Sequence, residues 1–149
     1  MALSLKQLAE KMKDIDFTML ATQTPAGAIR SRPMSNNREV EYDGNTWFFT
    51  EERTLMVQDI EQNPQVNLSY QGKSGLLGMR PFFLAVEGNA SLVRDKSQFA
   101  EHWSKGLERW WPSGIETPGL VLIKVSGEHA HYWDGEDEGE FSLISGPGL

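Results

Sequence analysis

The sequence predicts a mainly β (α+β) domain, arranged as an antiparallel barrel or half-open barrel with peripheral helices. Short segments that alternate apolar and polar residues recur along the chain, separated by turns that contain glycine or proline. Strands and helices do not follow the βαβ rhythm of a parallel α/β fold. With 149 residues the chain is long enough for one core, so residues 1–149 are predicted to form a single domain.

The first part of the chain begins with a helix and continues with strands. Ser4–Asp14 has apolar residues at spacings of three and four, behind a serine that suits a helix N-cap. Asp43-Gly44 is a strong hairpin signal. Four strands joined by short turns are predicted to form an antiparallel meander: Phe17–Thr22, Ile29–Ser35, Arg38–Tyr42 and Trp47–Thr50.

Two further helices are predicted. The first has Thr54 as its cap and ends at Asn63-Pro64. The second covers Ser97–Trp111. Its apolar face is an aromatic stripe typical of a core or an interface, made of Phe99, Trp103, Leu107 and either Trp110 or Trp111.

The remaining segments are predicted strands and loops. The strands are Val66–Tyr70, Phe82–Val93 with an irregularity at Gly88, and a final pair, Leu120–Val125 and Glu128–Trp133, joined at Ser126-Gly127. Gly72–Arg80 is predicted to form a mobile loop or lid. The acidic segment from about residue 134 is predicted to be an exposed, flexible tail.

The composition excludes several classes of protein. A formal net charge of −7 argues against general nucleic-acid binding, which needs clustered lysine and arginine to neutralise phosphates. The absence of cysteine excludes disulfides, thiolate catalysis and cysteine-based zinc sites. No secretory pattern opens the chain and no apolar run is long enough to span a membrane, so we expect a soluble, cytoplasmic protein without membrane partners.

Motifs for self-contained catalysis are also missing from the sequence. The common hydrolase and nucleotide-binding fingerprints do not occur, and no pair of carboxylates stands out as an acid–base couple. His129 and His131 share a face if their segment is a strand, which can bind a metal, but a third ligand is not identifiable. We therefore predict no metal site, assign no catalytic residue and expect a small-molecule ligand or a borrowed cofactor.

The most informative stretch is Ile29–Ser35, with the sequence IRSRPMS. If it is a strand, Arg30 and Arg32 project from the same face, where two cations can hold an anionic ligand. Pro33 removes a backbone donor, which strands tolerate at an edge, at a bulge or near a ligand. Two solvated arginines on an edge strand are the alternative interpretation.

A flavin nucleotide fits the residue types around this stretch. Two arginines, the hydroxyl groups of Thr50 and Thr54 and a helix N-terminus near Thr54 suit a phosphate group. The aromatic strand Trp47–Thr50 suits a flat heterocycle. Flavin mononucleotide (FMN) contains both parts and is therefore the predicted cofactor.

The order and spacing of four motifs resemble the FMN-binding split barrels related to pyridoxamine 5'-phosphate oxidase, and among them the bacterial general stress proteins. The similarity extends from the leading helix to residue 134. The motifs are Arg32-Pro33-Met34, Trp47-Phe48-Phe49-Thr50, Asn63–Tyr70 (NPQVNLSY) and Tyr132-Trp133-Asp134.

The resemblance implies a homodimeric split barrel that binds FMN at the dimer interface and acts as an oxidoreductase. The resemblance does not identify the substrate. The Arg-Pro-Met segment would hold the isoalloxazine ring, with backbone donors along Pro33–Ser35 near its polar edge. The implied cofactor-binding residues are Arg32, Pro33, Met34, Ser35, Phe49, Thr50, Arg53 and Thr54, with Trp110 and Trp111 from the partner subunit.

One position departs from the family pattern. The phosphate turn of the family places a lysine two residues after the hydroxyl residue, and this chain has Met56 there. Losing a charge-assisted hydrogen bond weakens binding by roughly ten- to a hundred-fold. Arg53 is the expected replacement and Arg30 a second candidate, and the Gly72–Arg80 loop can bring a further cation.

Two other functions stay open at the level of the sequence. The first is a non-catalytic stress-response module that holds a flavin or another planar anion such as a deazaflavin or haem, and the missing lysine favours it. The second is a structural dimer whose tryptophan stripe is only an interface, which explains the aromatic residues but leaves the arginines of Ile29–Ser35 without a role.

Overall fold

The computed structural model describes residues 3–36, 40–73 and 80–144. One antiparallel sheet of seven strands has the order β2-β1-β4-β5-β6-β3, and β7 pairs with β6. The strands are β1 (Phe17–Gln23), β2 (Ile29–Ser35), β3 (Asn45–Glu51), β4 (Gln65–Gln71), β5 (Phe83–Val93), β6 (Leu120–Asp134) and β7 (Asp137–Ser142). The helices are α1 (Leu5–Met12), α2 (Leu55–Gln62) and α3 (Lys96–His102).

The barrel is split between β2 and β3. Among the described residues β2 pairs only with β1, and β3 only with β6, so each of these two strands keeps one unpaired edge. The predicted antiparallel split barrel with peripheral helices is confirmed. An unpaired edge exposes backbone donors and acceptors, which places unused hydrogen-bonding groups on both sides of the opening.

The core follows the alternation of the strands. Thr18, Leu20 and Thr22 of β1 are buried, and Val66, Leu68 and Tyr70 of β4 continue the same inner layer. Helix α1 covers one end of this layer with Leu8, Ala9 and Met12. β1 and β4 therefore each turn alternate side chains toward the barrel interior.

Both predicted helix caps are present. The Ser4 hydroxyl accepts a hydrogen bond from the Gln7 amide, and the Gln7 side chain closes a capping box by accepting from the Ser4 amide. The Thr54 hydroxyl accepts from the Val57 amide at 3.3 Å. These local bonds fix where α1 and α2 begin.

The predicted four-stranded meander is wrong. β3 pairs along its whole length with β6, from Asn45 opposite Ser126 to Glu51 opposite Leu120. Of the predicted strand Arg38–Tyr42, residues 38 and 39 lie outside the described residues and residues 40–42 are in no strand. β3 is apolar on both faces, and pairing with distant β6 lets it pack against two core clusters.

The predicted turn at Ser126-Gly127 is also wrong, because β6 runs unbroken from Leu120 to Asp134. Its pairing with β5 continues past this point, with a register shift between Glu87 and Gly88 that confirms the predicted irregularity. A Cβ atom at residue 88 would lie 2.5 Å from the Ser126 carbonyl oxygen. Glycine at residue 88 therefore lets the backbones of β5 and β6 approach each other closely.

Two further expectations differ from the structure. The predicted helix Ser97–Trp111 is helical only to His102, and 3₁₀ turns follow at Lys105–Arg109 and Gly114–Glu116. Residues 137–142 of the predicted flexible tail form β7, paired along β6. In the described part of the chain, none of the helices has the length and apolar run needed to cross a membrane.

Candidate functional site

A cavity of about 890 Å³ lies in the opening between the end of β2 and the aromatic half of β3. The segment after α1, from Lys13 to Phe17, lines one side of the cavity, and the 3₁₀ turn after α3 lines another. Its lining consists of Lys13, Asp14, Asp16, Phe17, Pro33, Met34, Ser35, Asn36, Trp47, Phe48, Phe49, His102, Ser104, Gly106, Leu107, Arg109, Trp110 and Trp111. The volume is within the range usual for small-molecule sites, about 300–1,000 Å³.

Six predicted cofactor-binding residues meet in this cavity. Pro33, Met34 and Ser35 form the β2 side, and Phe49, Trp110 and Trp111 face them across the opening. Both tryptophans line the same cavity as Pro33 of their own chain. That the partner subunit supplies these residues to the site, as the resemblance implies, stays a prediction. They reach the cavity because the chain turns back after α3, so that Trp111 packs against Phe49 with ring centroids 6.4 Å apart.

The cavity has a rigid aromatic wall. Phe49 packs edge-to-face on Trp103, with ring centroids 4.9 Å apart, and Trp47 stacks on His102 at 3.6 Å with an interplanar angle of 17°. Together with Phe99 and Leu122 these rings form a second core beside the barrel. Trp110 stands out from this cluster, because 63% of its surface is exposed although it lines the cavity.

Four predicted residues lie outside the cavity. Thr50 is buried in β3 and pairs with Val121, Arg53 is exposed, and the Thr54 hydroxyl caps α2. Arg32 turns away from the cavity, toward the face of β1 that α2 covers, and donates to the Thr22 hydroxyl at 2.9 Å. Their part in cofactor binding remains a prediction.

Asp59 of α2 holds the arginines of β2. Arg30 donates two hydrogen bonds of 2.8 Å to the Asp59 carboxylate, and Arg32 lies 3.8 Å from it. The bond from Arg30, followed by one from Thr22, lowers the pKa of Asp59 below its ordinary value. Burial is the main reason why the pKa of Arg32 is also lowered, although Arg32 stays charged at neutral pH.

Met56 cannot act as a substitute for the missing lysine. Its side chain is 6% exposed and belongs to the main core, together with Ile60 of the same helix. Of the Gly72–Arg80 loop, residues 74–79 lie outside the described residues, and Lys73 and Arg80 at its two ends are exposed. Replacement of the missing lysine by Arg53, by Arg30 or by a cation of this loop stays a prediction.

Several residues of the site are not identifiable from sequence motifs. His102, Lys13 and Arg109 supply cationic or titratable groups to the cavity lining, and the family pattern gives no reason to select them. Asp59 did carry a usable signal, because it lies between Met56, Val57 and Ile60 on the buried face of an otherwise apolar helix. A carboxylate at such a position needs a buried partner.

The outer face of the sheet is apolar next to the cavity. Phe83 of β5 lies opposite Trp133 of β6, and Pro33 lies opposite Met19. We call this surface the outer sheet face, and it consists of Phe17, Met19, Pro33, Phe83 and Trp133. Phe17 and Pro33 also line the cavity, so the apolar surface and the cavity are continuous.

The histidines of β6 lie close to carboxylates of β7. His131 lies 2.6 Å from Glu138, and His129 lies 3.3 Å from Glu140. Within residues 3–36, 40–73 and 80–144, no group of three or more histidine and carboxylate side chains is arranged to hold a metal ion.

Comparison with known proteins identifies the family. A family model described as "Pyridoxamine 5'-phosphate oxidase like" matches residues 4–145, which is nearly the whole chain. The chain belongs to this family. The predicted membership of the pyridoxamine 5'-phosphate oxidase-like split barrels is thereby confirmed.

Relatives of this family member include general stress proteins. General stress protein 26 of Bacillus subtilis is 26% identical over 117 residues, covering 76% of this chain and 80% of the relative. A solved Clostridium acetobutylicum protein related to general stress protein 26 has a TM-score of 0.77, 19% identity and 93% coverage of both chains. The general stress FMN/FAD binding protein of Xanthomonas citri has a TM-score of 0.70, 22% identity and coverage of 96% and 94%.

Proposed function

We propose that this protein is a homodimeric FMN-binding protein of the general stress protein type that acts as a flavin-dependent oxidoreductase. The observation that supports this most directly is the cavity in the split of the barrel. It combines the edge of β2 at Pro33–Ser35 with the aromatic wall around Phe49.

The lining of the cavity fits a flavin ring. A flat heterocycle needs an apolar slot with a few polar groups at its rim, and the cavity offers Trp47, Trp110 and Trp111 together with the unpaired edge of β2. A bound flavin supplies the redox chemistry, whereas the protein supplies binding and orientation. Here the β2 edge would orient the ring, and Trp110 would cover it and exclude water.

The arginines of β2 suit the phosphate of FMN. Arg32 directly precedes Pro33 on an edge strand, and its side chain lies on the α2 side, so a ligand held at Pro33–Ser35 would reach it around the edge of β2. With Met56 in place of lysine, Arg30 and Arg32 are the cations of β2 beside the ring site. The Xanthomonas relative, described as an FMN/FAD binding protein, supports a flavin nucleotide as the ligand.

The outer sheet face supports a homodimer that includes the site. Exposed apolar side chains lie there on β1 and β2 and again on β5 and β6, with the polar outward residues of β4 between the two groups. Large exposed apolar patches mark interaction surfaces. Because Phe17 and Pro33 belong both to this face and to the cavity, a second copy of the chain that covers the face would also close the cavity.

The test begins with the purified protein. We expect the absorption bands of a flavin, or their appearance as a bound spectrum when FMN is added to protein stripped of ligand, and a dimer by light scattering. Protein that neither carries nor takes up FMN contradicts the proposal. Reduction of the bound flavin by NADH or NADPH without oxygen then tests whether the protein is an oxidoreductase.

The alternative is a non-catalytic module that holds a flavin or another planar anion. Met56 favours it, because a weakened phosphate site is expected to favour other ligands as well. A protein that binds FMN, but whose bound flavin is reduced by neither NADH nor NADPH, supports this alternative. A haem Soret band or a deazaflavin spectrum in the purified protein would identify a different ligand.

A further inference from the structure

Asp59 is the centre of a buried polar cluster between α2 and the first two strands. It accepts hydrogen bonds of 2.8 Å from Arg30 Nε, from Arg30 Nη2 and from the Thr22 hydroxyl. The carboxylate side chain is 1% exposed, so its charge is satisfied by protein groups. A buried carboxylate with three donors at these distances is rigidly held.

The same cluster fixes the second arginine. Arg32 Nη1 donates to the Leu20 carbonyl at 3.0 Å and to the Thr22 hydroxyl at 2.9 Å. Thr22 therefore links the two arginines, because it receives a hydrogen bond from Arg32 and passes one to Asp59. Nη2 of Arg32 lies 3.8 Å from the carboxylate, which is an ion pair without a hydrogen bond.

Both arginines keep donors for a ligand. Their side chains are 40% and 22% exposed, respectively. Within the described part of the chain, Nη1 of Arg30 and Nε of Arg32 take part in none of the cluster's hydrogen bonds. Two arginines and one aspartate leave the cluster with a net positive charge, as an anion site requires.

We propose that Asp59 is a positioning residue for the phosphate group of the flavin nucleotide. It holds Arg30 and, through Thr22, Arg32 on the α2 side of β2, and their remaining donors bind a phosphate that reaches this side around the edge of the strand. Asp59 thereby sets the preference for a phosphorylated over an unphosphorylated flavin. This inference rests on the proposed flavin binding.

The experiment compares the affinities for FMN and riboflavin, which share the ring and differ in the phosphate. For the wild type we expect FMN to bind at least about ten-fold more tightly than riboflavin, because one charge-assisted hydrogen bond to the phosphate contributes a difference of this size. In Asp59→Asn we expect this ratio to fall by about ten-fold, with the riboflavin dissociation constant changing less than about two-fold. A folding defect alone would weaken both ligands equally.

Two sets of variants serve as controls. Glu116→Gln removes a carboxylate from the exposed pair with Lys96, and it changes the net charge of the protein by the same amount as Asp59→Asn. This variant should leave the ratio of the two affinities unchanged. Thr22→Val and Thr22→Ser test the same cluster if Asp59→Asn does not fold. The valine variant loses the hydroxyl link and should lower the ratio, whereas the serine variant should keep it.

The outcomes separate the two proposals. A wild type that binds neither flavin overturns the proposed function and this inference with it. A wild type that prefers FMN, with the ratio unchanged in Asp59→Asn and Thr22→Val, overturns the inference alone. The inference is also overturned if Arg109→Gln, on the opposite wall of the cavity, lowers the ratio and Asp59→Asn does not.

Discussion

Arg30 and Asp59 form a bidentate ion pair that fastens the edge strand β2 to helix α2. The two guanidinium nitrogens Nε and Nη2 each lie 2.8 Å from a carboxylate oxygen, and the residues are 29 positions apart in the chain. Because β2 has no strand partner on its outer side among the described residues, this pair is a tertiary anchor for the strand that borders the cavity.

We expect Asp59→Asn to lower the free energy of unfolding by about 2–3 kcal/mol at pH 7, because the arginines lose a buried counter-ion. The pKa of Asp59 is lowered in the folded protein. Its contribution is therefore full above the unfolded-state pKa of about 3.9 and is lost as the pH falls through the lower folded-state pKa. Urea unfolding of both proteins at several pH values measures this.

The difference between the wild type and Asp59→Asn should shrink as the pH falls below the unfolded-state pKa of about 3.9 and vanish below the lowered folded-state pKa of Asp59, where both proteins lack the charge. A difference that stays constant over the whole pH range would show that the carboxylate charge has no part in it. Glu116→Gln, in the exposed pair with Lys96, should change stability by less than about 1 kcal/mol.

We expect Gly88→Ala to destabilise the protein by about 1–3 kcal/mol, since the new methyl group would lie against backbone that side-chain motion cannot clear. The ideal Cβ position is 2.5 Å from the Ser126 carbonyl oxygen and 3.2 Å from the Gly127 Cα atom. Gly106→Ala is the matched control, because nothing lies within 4 Å of its Cβ position. Its free energy of unfolding should stay within about 0.5 kcal/mol of wild type, and an equal loss in both variants would contradict the steric explanation.

We expect Trp110→Ala to weaken FMN binding by about ten-fold, because an aromatic contact contributes about 1–1.5 kcal/mol beyond its buried area. Trp110→Phe should retain most of the affinity. Titration followed by flavin fluorescence measures both variants. Because 63% of Trp110 is exposed in the ligand-free chain, the free energy of unfolding should hardly change in either. Unchanged FMN affinity in the alanine variant would exclude Trp110 from the ring site.

We expect Met19→Lys to convert the dimer to a monomer and to weaken FMN binding, because it places a charge on the outer sheet face opposite Pro33. Leu55→Lys is the matched control for oligomeric state, since Leu55 is 57% exposed on α2, away from this face. Light scattering with and without FMN measures the mass. A Met19→Lys protein that remains a dimer would place the interface elsewhere.

The local pattern of the chain predicted the strand-rich composition of an antiparallel barrel or half-open barrel, the caps at Ser4 and Thr54 and the irregularity at Gly88, because each leaves a signal in residues close in sequence. The split barrel was what the family resemblance implied. The sequence also predicted that Pro33–Ser35 and Phe49 would lie at one site, and the structure places them in one cavity. That part of the prediction rested on family motifs whose order and spacing are visible without coordinates.

The pairing of β3 with β6, the unbroken course of β6 and the end of α3 at His102 were decided by tertiary contacts. An apolar strand such as β3 can pair with any complementary edge, and Trp103 and Trp111 pack on Phe49 without one continuous helix. The periodicity of a sequence indicates which side chains are buried, but it does not indicate which strand or helix they pack against.

The same limit applies to Ile29–Ser35. Its alternation showed that Arg30 and Arg32 share a face, which left solvent and an anionic ligand as the two interpretations. The fold adds a third group, Asp59, 29 residues away from Arg30, whose buried carboxylate binds both arginines. A charge inside the protein requires a partner at hydrogen-bond distance, and only the folding of α2 over β1 and β2 brings that partner there.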